Sequence, residues 1–420
     1  MYNLAKKLFP ICRSITGDGF RQSLKILDDA MGGGILQIHS IKSGTKVYDW
    51  IIPQEWQIND AYIITPDGEK ICDFKENNLH ILNYSEGINA EISLQELQNH
   101  LYSIEDYEDA IPYVTSYYKK RWGFCIKHKD RKKLKDGNYK VFIDAKHFDG
   151  VLNYADFIIP STQNYKEEIL ISTYLCHPSM ANNELSGPIV AIFLAKWLLN
   201  QKQRKYNYRF VIIPETIGSI VYINKHLKHL QKYTKAGFVL SCIGDDNAYS
   251  LVHSPSENTI ADKIALHTLK NKQNFKEFSF LDRGSDERQY CSPLVNLPVV
   301  CICRNRFGDY KQYHTSKDDL SFISEKGLQG GLDAMKEIIM NLEVNEIYKN
   351  TIICEPNLGK RNLYIDHCKR EGRVENILSF LAYCDGKNDV LDIADKLNLQ
   401  GYELKDLIEK LNENKLIKSI

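Results

Sequence analysis

Two histidines and several acids of this 420-residue chain stand where apolar runs break off. Cys176-His177-Pro178 follows the run from Ile169 to Leu175, with Asn183 and Glu184 close behind. Pro214-Glu215-Thr216 closes FVII, and Gly244-Asp245-Asp246 closes FVLSCI. Gly284-Ser285-Asp286-Glu287-Arg288 and Tyr313-His314-Thr315-Ser316-Lys317-Asp318 complete the set. One histidine after a strand is most simply a hydrogen-bonded loop residue. Two histidines and several acids at separate strand ends form a set of nitrogen and oxygen ligands that can converge on one point. Zn²⁺ takes imidazole and carboxylate, and a catalytic site keeps one position open for water. Such a metal lowers the pKa of its water, and a nearby carboxylate takes the proton. Glu215 suits that role, because it ends a buried strand where desolvation raises a carboxyl pKa.

The elements that must position these residues read as strand–helix–strand from about residue 165. EEILISTYL, YRFVIIPE, AGFVLSCIG and LPVVCICR are near-continuous apolar strands. GPIVAIFLAKWLLN, SIVYINKHLKHLQKY and NTIADKIALHTLKNK are helices between them. That alternation predicts an α/β fold, a mainly parallel mixed sheet with helices on both faces, whose site lies beyond the strands' C-terminal ends. Residues 50–150 differ, with short β-like runs (AYIITPDGEKI, HILNYS, GFCIKH, YKVFIDA) separated by turn signals at 66–68 and 135–138. The expected domains are therefore 1–49 with 151–355 as the α/β domain, 50–150 as an inserted small β domain, and 356–420 as a C-terminal unit. The last has three helical segments and a terminal LIKSI strand, the pattern of a winged helix-turn-helix. Its third helix carries nearly cancelling charges, which grips phosphate poorly.

Bulk composition narrows the function classes. Lys+Arg and Asp+Glu are equal at 54 each, so no global field favours nucleic acid or anionic membrane. Hydrophobic residues at 43% and charged ones at 26% fit a globular protein in water. The N-terminal segment reads as no export leader, and no run approaches a membrane span. Eleven cysteines without regular spacing point to reduced thiols and a cytoplasmic setting. The basic run at 127–140 reads as a solvated loop, and Tyr113, Tyr117, Tyr118, Arg121 and Trp122 as the core of the small β domain, with stacking on sugar rings as the alternative. No serine sits in a GxSxG elbow, which sets aside a serine triad.

RSITGDGFR (13–21), AIPYVTSYYKKRWGFC (110–125), STYLCHPSMANNELSGP (172–188), PETIGSI (214–220), GDD (244–246), GSDERQYCSP (284–293) and YHTSKDD (313–319) together resemble the zinc aminopeptidases. More closely, they resemble an aminopeptidase-like family associated with bacterial surface-polysaccharide loci, whose members join an aminopeptidase core to an inserted β domain and a C-terminal winged helix. The resemblance implies that His177 and His314 are metal ligands and that Glu215 is the general base. It places Asp286 as an acid near the final ligand strand. It also implies zinc, one ion or two, and hydrolysis of a peptide or amide bond, on a peptide N-terminus or an acylamino sugar. Three positions depart from the family pattern. Asn183 stands where an aspartate bridges two metals, with Glu184 next to it as a replacement ligand. Thr216 replaces the second glutamate of a pair. Ser241 or Cys242 falls where a later aspartate belongs, leaving Asp245 as the nearest acid. The expected metal set is His177, Glu184 and His314 with Asp245. Arg288, Asp286 and Tyr313 are expected at the substrate. Two other functions stay open at this point: a non-catalytic binding protein on a degenerate fold, and a winged-helix regulator. A homo-oligomer stays open as well. Neither membrane nor nucleic acid is expected as a partner.

Overall fold

A computed structural model of the chain describes residues 1–363 and 373–420. Its main sheet has eight strands: β1 Gln37–Lys42, β2 Val151–Ile159, β3 Glu168–Tyr174, β4 Asn207–Ile213, β5 Thr234–Leu240, β6 Tyr249–Val252, β7 Phe275–Phe278 and β8 Val299–Cys303. They lie in the order β1-β2-β4-β3-β5-β8-β6-β7. The pairs β3–β4, β3–β5, β5–β8 and β6–β7 are parallel, whereas β1–β2, β2–β4 and β6–β8 are antiparallel. Every residue of β3 is buried. Side chains alternate between the two faces of a strand, so both faces are covered there, as its largely apolar run predicts.

The chain leaves β3 for β4 on one side and then crosses back to β5 on the other. A reversal of this kind opens a crevice outside the C-terminal ends of the strands involved. Residues 175–177, 214–216 and 241–242, which follow β3, β4 and β5, border that crevice. Helix Ser186–Leu199 packs on this part of the sheet. It can do so closely because position 187 lacks a side chain: a Cβ there would lie 2.4 Å from both the Leu240 carbonyl oxygen and Thr173 Oγ1. Gly187→Ala is therefore expected to cost about 1–3 kcal/mol. Urea unfolding measures it, and an unchanged midpoint would show that helix and strands tolerate separation.

The insertion is built on a four-stranded antiparallel sheet, Lys70–Ile71, Glu55–Ile64, Asn138–Phe148 and Ile88–Ser93 in spatial order. It belongs to the same compact unit as the main sheet, Met1–Asp262 with Gln273–Leu332. Two expected strands are not regular. HILNYS makes only isolated bridges through Ile81 and Asn83, and GFCIKH keeps the two-residue strand Phe124–Cys125. The basic run forms a single helical turn, His128–Arg131. Lys129, Lys132, Lys133 and Lys135 pair with Asp109, Glu108, Asp130 and Asp67, so its charge is neutralised locally.

The second compact unit comprises Lys263–Lys272 and Asp333–Ile420. Strand Ile347–Asn350 pairs with Asp385–Asp389 and Ile417–Ser419. The boundary expected at residue 356 is thus corrected: a strand before it belongs to the C-terminal sheet. Helices Arg373–Tyr383, Val390–Leu397 and Lys405–Glu413 complete a winged-helix arrangement. Among the described residues no helix is long and apolar enough to cross a membrane.

Candidate metal centre

His177 leaves the end of β3 with only 5% of its surface exposed. Its Nδ1 lies 2.7 Å from Glu184 Oε2 and 3.3 Å from Cys176 Sγ, and its Nε2 lies 3.6 Å from Glu215 Oε2. Burial works against the imidazolium, yet Cys176 and Glu184 together lift its pKa well above the usual value. Glu184 comes from Ala181–Leu185, a π-helical turn that precedes helix 186–199. Such wide turns leave backbone donors unpaired and recur at functional sites. Here Asp318 takes up two of them: Oδ1 accepts the Asn182 N–H at 2.6 Å and Oδ2 the Asn183 N–H at 2.8 Å.

Glu215 follows β4, and its backbone N–H donates to Cys176 Sγ at 3.3 Å. Burial pushes its carboxyl up to about 7, with the Asp286 charge adding to the effect and His177 and Arg288 opposing it. The next residue, Thr216, holds φ +65 and ψ −71, a conformation costly for a β-branched side chain. Its N–H donates to Asp286 Oδ1 at 2.8 Å, Ser219 Oγ donates to the same oxygen at 2.7 Å, and Arg288 Nη2 donates to Thr216 Oγ1 at 2.6 Å. These three bonds hold the turn that aims Glu215.

His314 reaches the same place from a distant segment. Its ring centroid is 5.3 Å from that of His177. Tyr313 stacks on it at 3.9 Å and Tyr113 meets it edge-on at 5.3 Å. The Tyr113 N–H donates to the His314 carbonyl at 2.8 Å, so the insertion clasps this loop. Burial, reinforced by His177, lowers the His314 pKa to about 3, which leaves a neutral ligand-competent imidazole.

The expected residues divide in two. His177, Glu184, Glu215 and His314 come together. Asp245 does not join them: it is fully buried, and its two oxygens accept from Asn182, Asn247 and Asn305. Asp286 is likewise fully buried and holds the 214–216 turn instead of facing a substrate. Arg288 is bonded to Thr216, and Tyr313 lies against His314. None of these three lines the cavity of about 490 Å³ in front of His177, Glu215 and His314. Its wall holds Trp50, Tyr113, Tyr117 and Tyr118, so the last three are not merely core of the insertion. Two further residues carried no sequence-based assignment. Asp318 caps the π-helical turn, and fully buried Arg13 donates from Nε to the His177 carbonyl at 3.1 Å. Both lie in stretches quoted above, but nothing in those stretches distinguishes them from their polar neighbours.

The donors fit a metal ion. Among the described residues, Cys176, His177 and Glu184 bring ligand atoms within 4.8 Å of one another. Asn183 Oδ1, both Glu184 oxygens and His314 Nε2 are buried with no hydrogen-bond partner. The short Glu184–His177 contact is an ion-pair distance off the hydrogen-bond direction, so it does not satisfy the carboxylate. Each unsatisfied buried acceptor costs about 1–3 kcal/mol, a cost that a shared cation removes.

The model of the domain of unknown function DUF4910 matches residues 2–345. The chain belongs to this family. A winged helix-turn-helix family model matches residues 346–419 of this DUF4910 protein. A Clostridium acetobutylicum protein named as a candidate polysaccharide biosynthesis protein with an aminopeptidase-like domain is 40% identical over 428 residues, covering 100% of this chain and 96% of its own. A crystal structure of a candidate peptidase from the same organism superposes with a TM-score of 0.92, at 40% identity and the same coverage of both chains. At 14% identity, the zinc aminopeptidase BSAP of Bacillus subtilis gives a TM-score of 0.56 over 81% of this chain and 93% of that one. A peptidase M28 precursor from Shewanella amazonensis gives 0.56 at 12% identity, over 80% and 91%. The DUF4910 domain therefore has an aminopeptidase-like fold.

Proposed function

We propose that the protein is a zinc-dependent hydrolase of an amide or peptide bond, with Glu215 as general base. The convergence of His177, Glu215 and His314 at one cavity, with buried Glu184 against His177, carries this reading. His177, Glu184 and His314 would hold a single ion, the two-histidine, one-glutamate set of catalytic zinc sites. Thr216, Ser241 and Cys242 supply no carboxylate for a second ion; the Ser241 hydroxyl is bonded to Tyr174 Oη at 2.6 Å and Tyr310 Oη donates to Cys242 Sγ at 3.4 Å. When bound, the ion supplies an acidified water and a Lewis acid for the carbonyl oxygen. Glu215 takes the water proton and returns it to the leaving nitrogen. The Clostridium relative's name, a candidate polysaccharide biosynthesis protein with an aminopeptidase-like domain, supports an amide of a polysaccharide precursor alongside a peptide as the bond cleaved.

Metal analysis of the purified full chain tests this proposal. About one zinc per chain is expected, and no bound zinc together with no activity on added Zn²⁺ would remove it. Glu184→Gln is expected to lower zinc affinity by at least about 100-fold, read by competition with a chromogenic chelator. Undiminished affinity would take Glu184 out of the ligand set.

A further inference from the structure

The mechanism leaves most of the cavity wall unused. Trp50 and Tyr118 form its outer corner, their rings edge-on with centroids 5.3 Å apart. Tyr118 is 50% exposed and is held at φ +63, a conformation that turns a large apolar ring outward at a cost. Deeper in, the Tyr113 and Tyr117 hydroxyls lie 3.0 Å apart, and Tyr117 donates to Asn83 Oδ1 at 3.1 Å. Rings with an apolar body and a polar tip, anchored from behind, suit a ligand that has both an apolar face and hydroxyls.

The charges near the reacting centre select further. A peptide N-terminus brings an ammonium next to the scissile bond, and its recognition calls for a fixed carboxylate. Among the described residues lining the cavity, Glu215 is the only carboxylate, and it is committed to proton transfer. Its neighbour Thr216 is neutral, and the Thr216 hydroxyl carries the Arg288 guanidinium at 2.6 Å. A second guanidinium, Arg13, stands behind His177. Neither arginine lines the cavity, so among its described lining residues an incoming ammonium finds no carboxylate besides Glu215. An acylated nitrogen is uncharged and needs no such partner.

We propose that the substrate is an acylamino sugar, its ring stacked on the Trp50–Tyr118 corner and its acylamide carbonyl turned to the His177–Glu215 end. This rests on the hydrolase reading above. The reaction would add water to the carbonyl carbon and break the C–N bond. The sugar nitrogen leaves as an amine on the proton passed by Glu215, and the second water proton, released as the new carboxyl group ionises to a carboxylate, converts the amine to an ammonium.

The test uses the zinc-loaded full chain with methyl glycosides of N-acetylglucosamine, N-acetylgalactosamine and N-acetylmannosamine, and with leucine p-nitroanilide. Acetate release from at least one glycoside is expected, with kcat/KM at least 100-fold above that for the anilide. Tyr118→Ala is expected to raise KM about tenfold with kcat little changed, because the ring binds substrate and transition state alike. Faster cleavage of the anilide would overturn the proposal. If neither class is cleaved, saturation-transfer NMR with the same glycosides decides. Binding that Tyr118→Ala and Trp50→Ala abolish would keep the sugar and remove the hydrolase, whereas no binding to the unaltered protein would overturn the proposal.

Discussion

Glu215→Gln is expected to lower amide hydrolysis by about 10²–10⁴-fold while zinc content and the unfolding midpoint stay near those of the unaltered protein. The substitution keeps the shape of the side chain, and glutamine cannot accept a proton from water. The turn survives because it is held through other atoms: the Glu215 N–H on Cys176 Sγ and the Thr216 N–H on Asp286. Zinc is retained because the expected ligands are His177, Glu184 and His314. Burial already brings the Glu215 carboxyl to about 7, close to the pKa of an acidified water and well above that of an ordinary carboxylate. Rate and zinc content measured on one preparation separate the possibilities. Loss of both would make Glu215 a ligand, and loss of neither would remove it from the chemistry.

His177, Glu215 and His314 meet in space for a physical reason that the sequence carries. Each stands at the end of a buried segment, and a parallel sheet with a strand-order reversal sends such ends to one crevice. Asp245 satisfied the same rule and fails it in space, because neighbouring amides of Asn182, Asn247 and Asn305 draw its carboxylate into the core. Side-chain direction at a strand end is set by such local donors, which strand position does not encode. The aromatic wall was hidden differently. Tyr113, Tyr117 and Tyr118 have the composition of a small β core, and it is the pairing of residues 111–113 with 314–316 that brings their segment to the cavity. Strand Ile347–Asn350 was assigned to the wrong unit because its two partners lie after residue 384.

Asp318 shows how far a site depends on a residue that performs none of its chemistry, and Asp318→Ala tests that dependence. Its carboxylate lies in complete burial, where desolvation pushes the pKa up to about 7 although the N–H groups of Asn182 and Asn183 pull it down. Removing it leaves two buried backbone donors without partners, at about 1–3 kcal/mol each. A loss of roughly 2–6 kcal/mol in urea unfolding is expected on that arithmetic. The π-helical turn carries Asn183 and Glu184, so zinc affinity is expected to fall in the same variant, although Asp318 is not in the proposed ligand set. Asp318→Asn separates the two effects. It preserves volume but turns an NH₂ group toward one of the two backbone N–H donors, so only one of the two hydrogen bonds can be rebuilt. Its stability is expected to fall between the unaltered protein and Asp318→Ala, with zinc affinity following the same order. If stability falls in that order while zinc affinity stays constant, the turn is a scaffold element and the metal is held without Glu184.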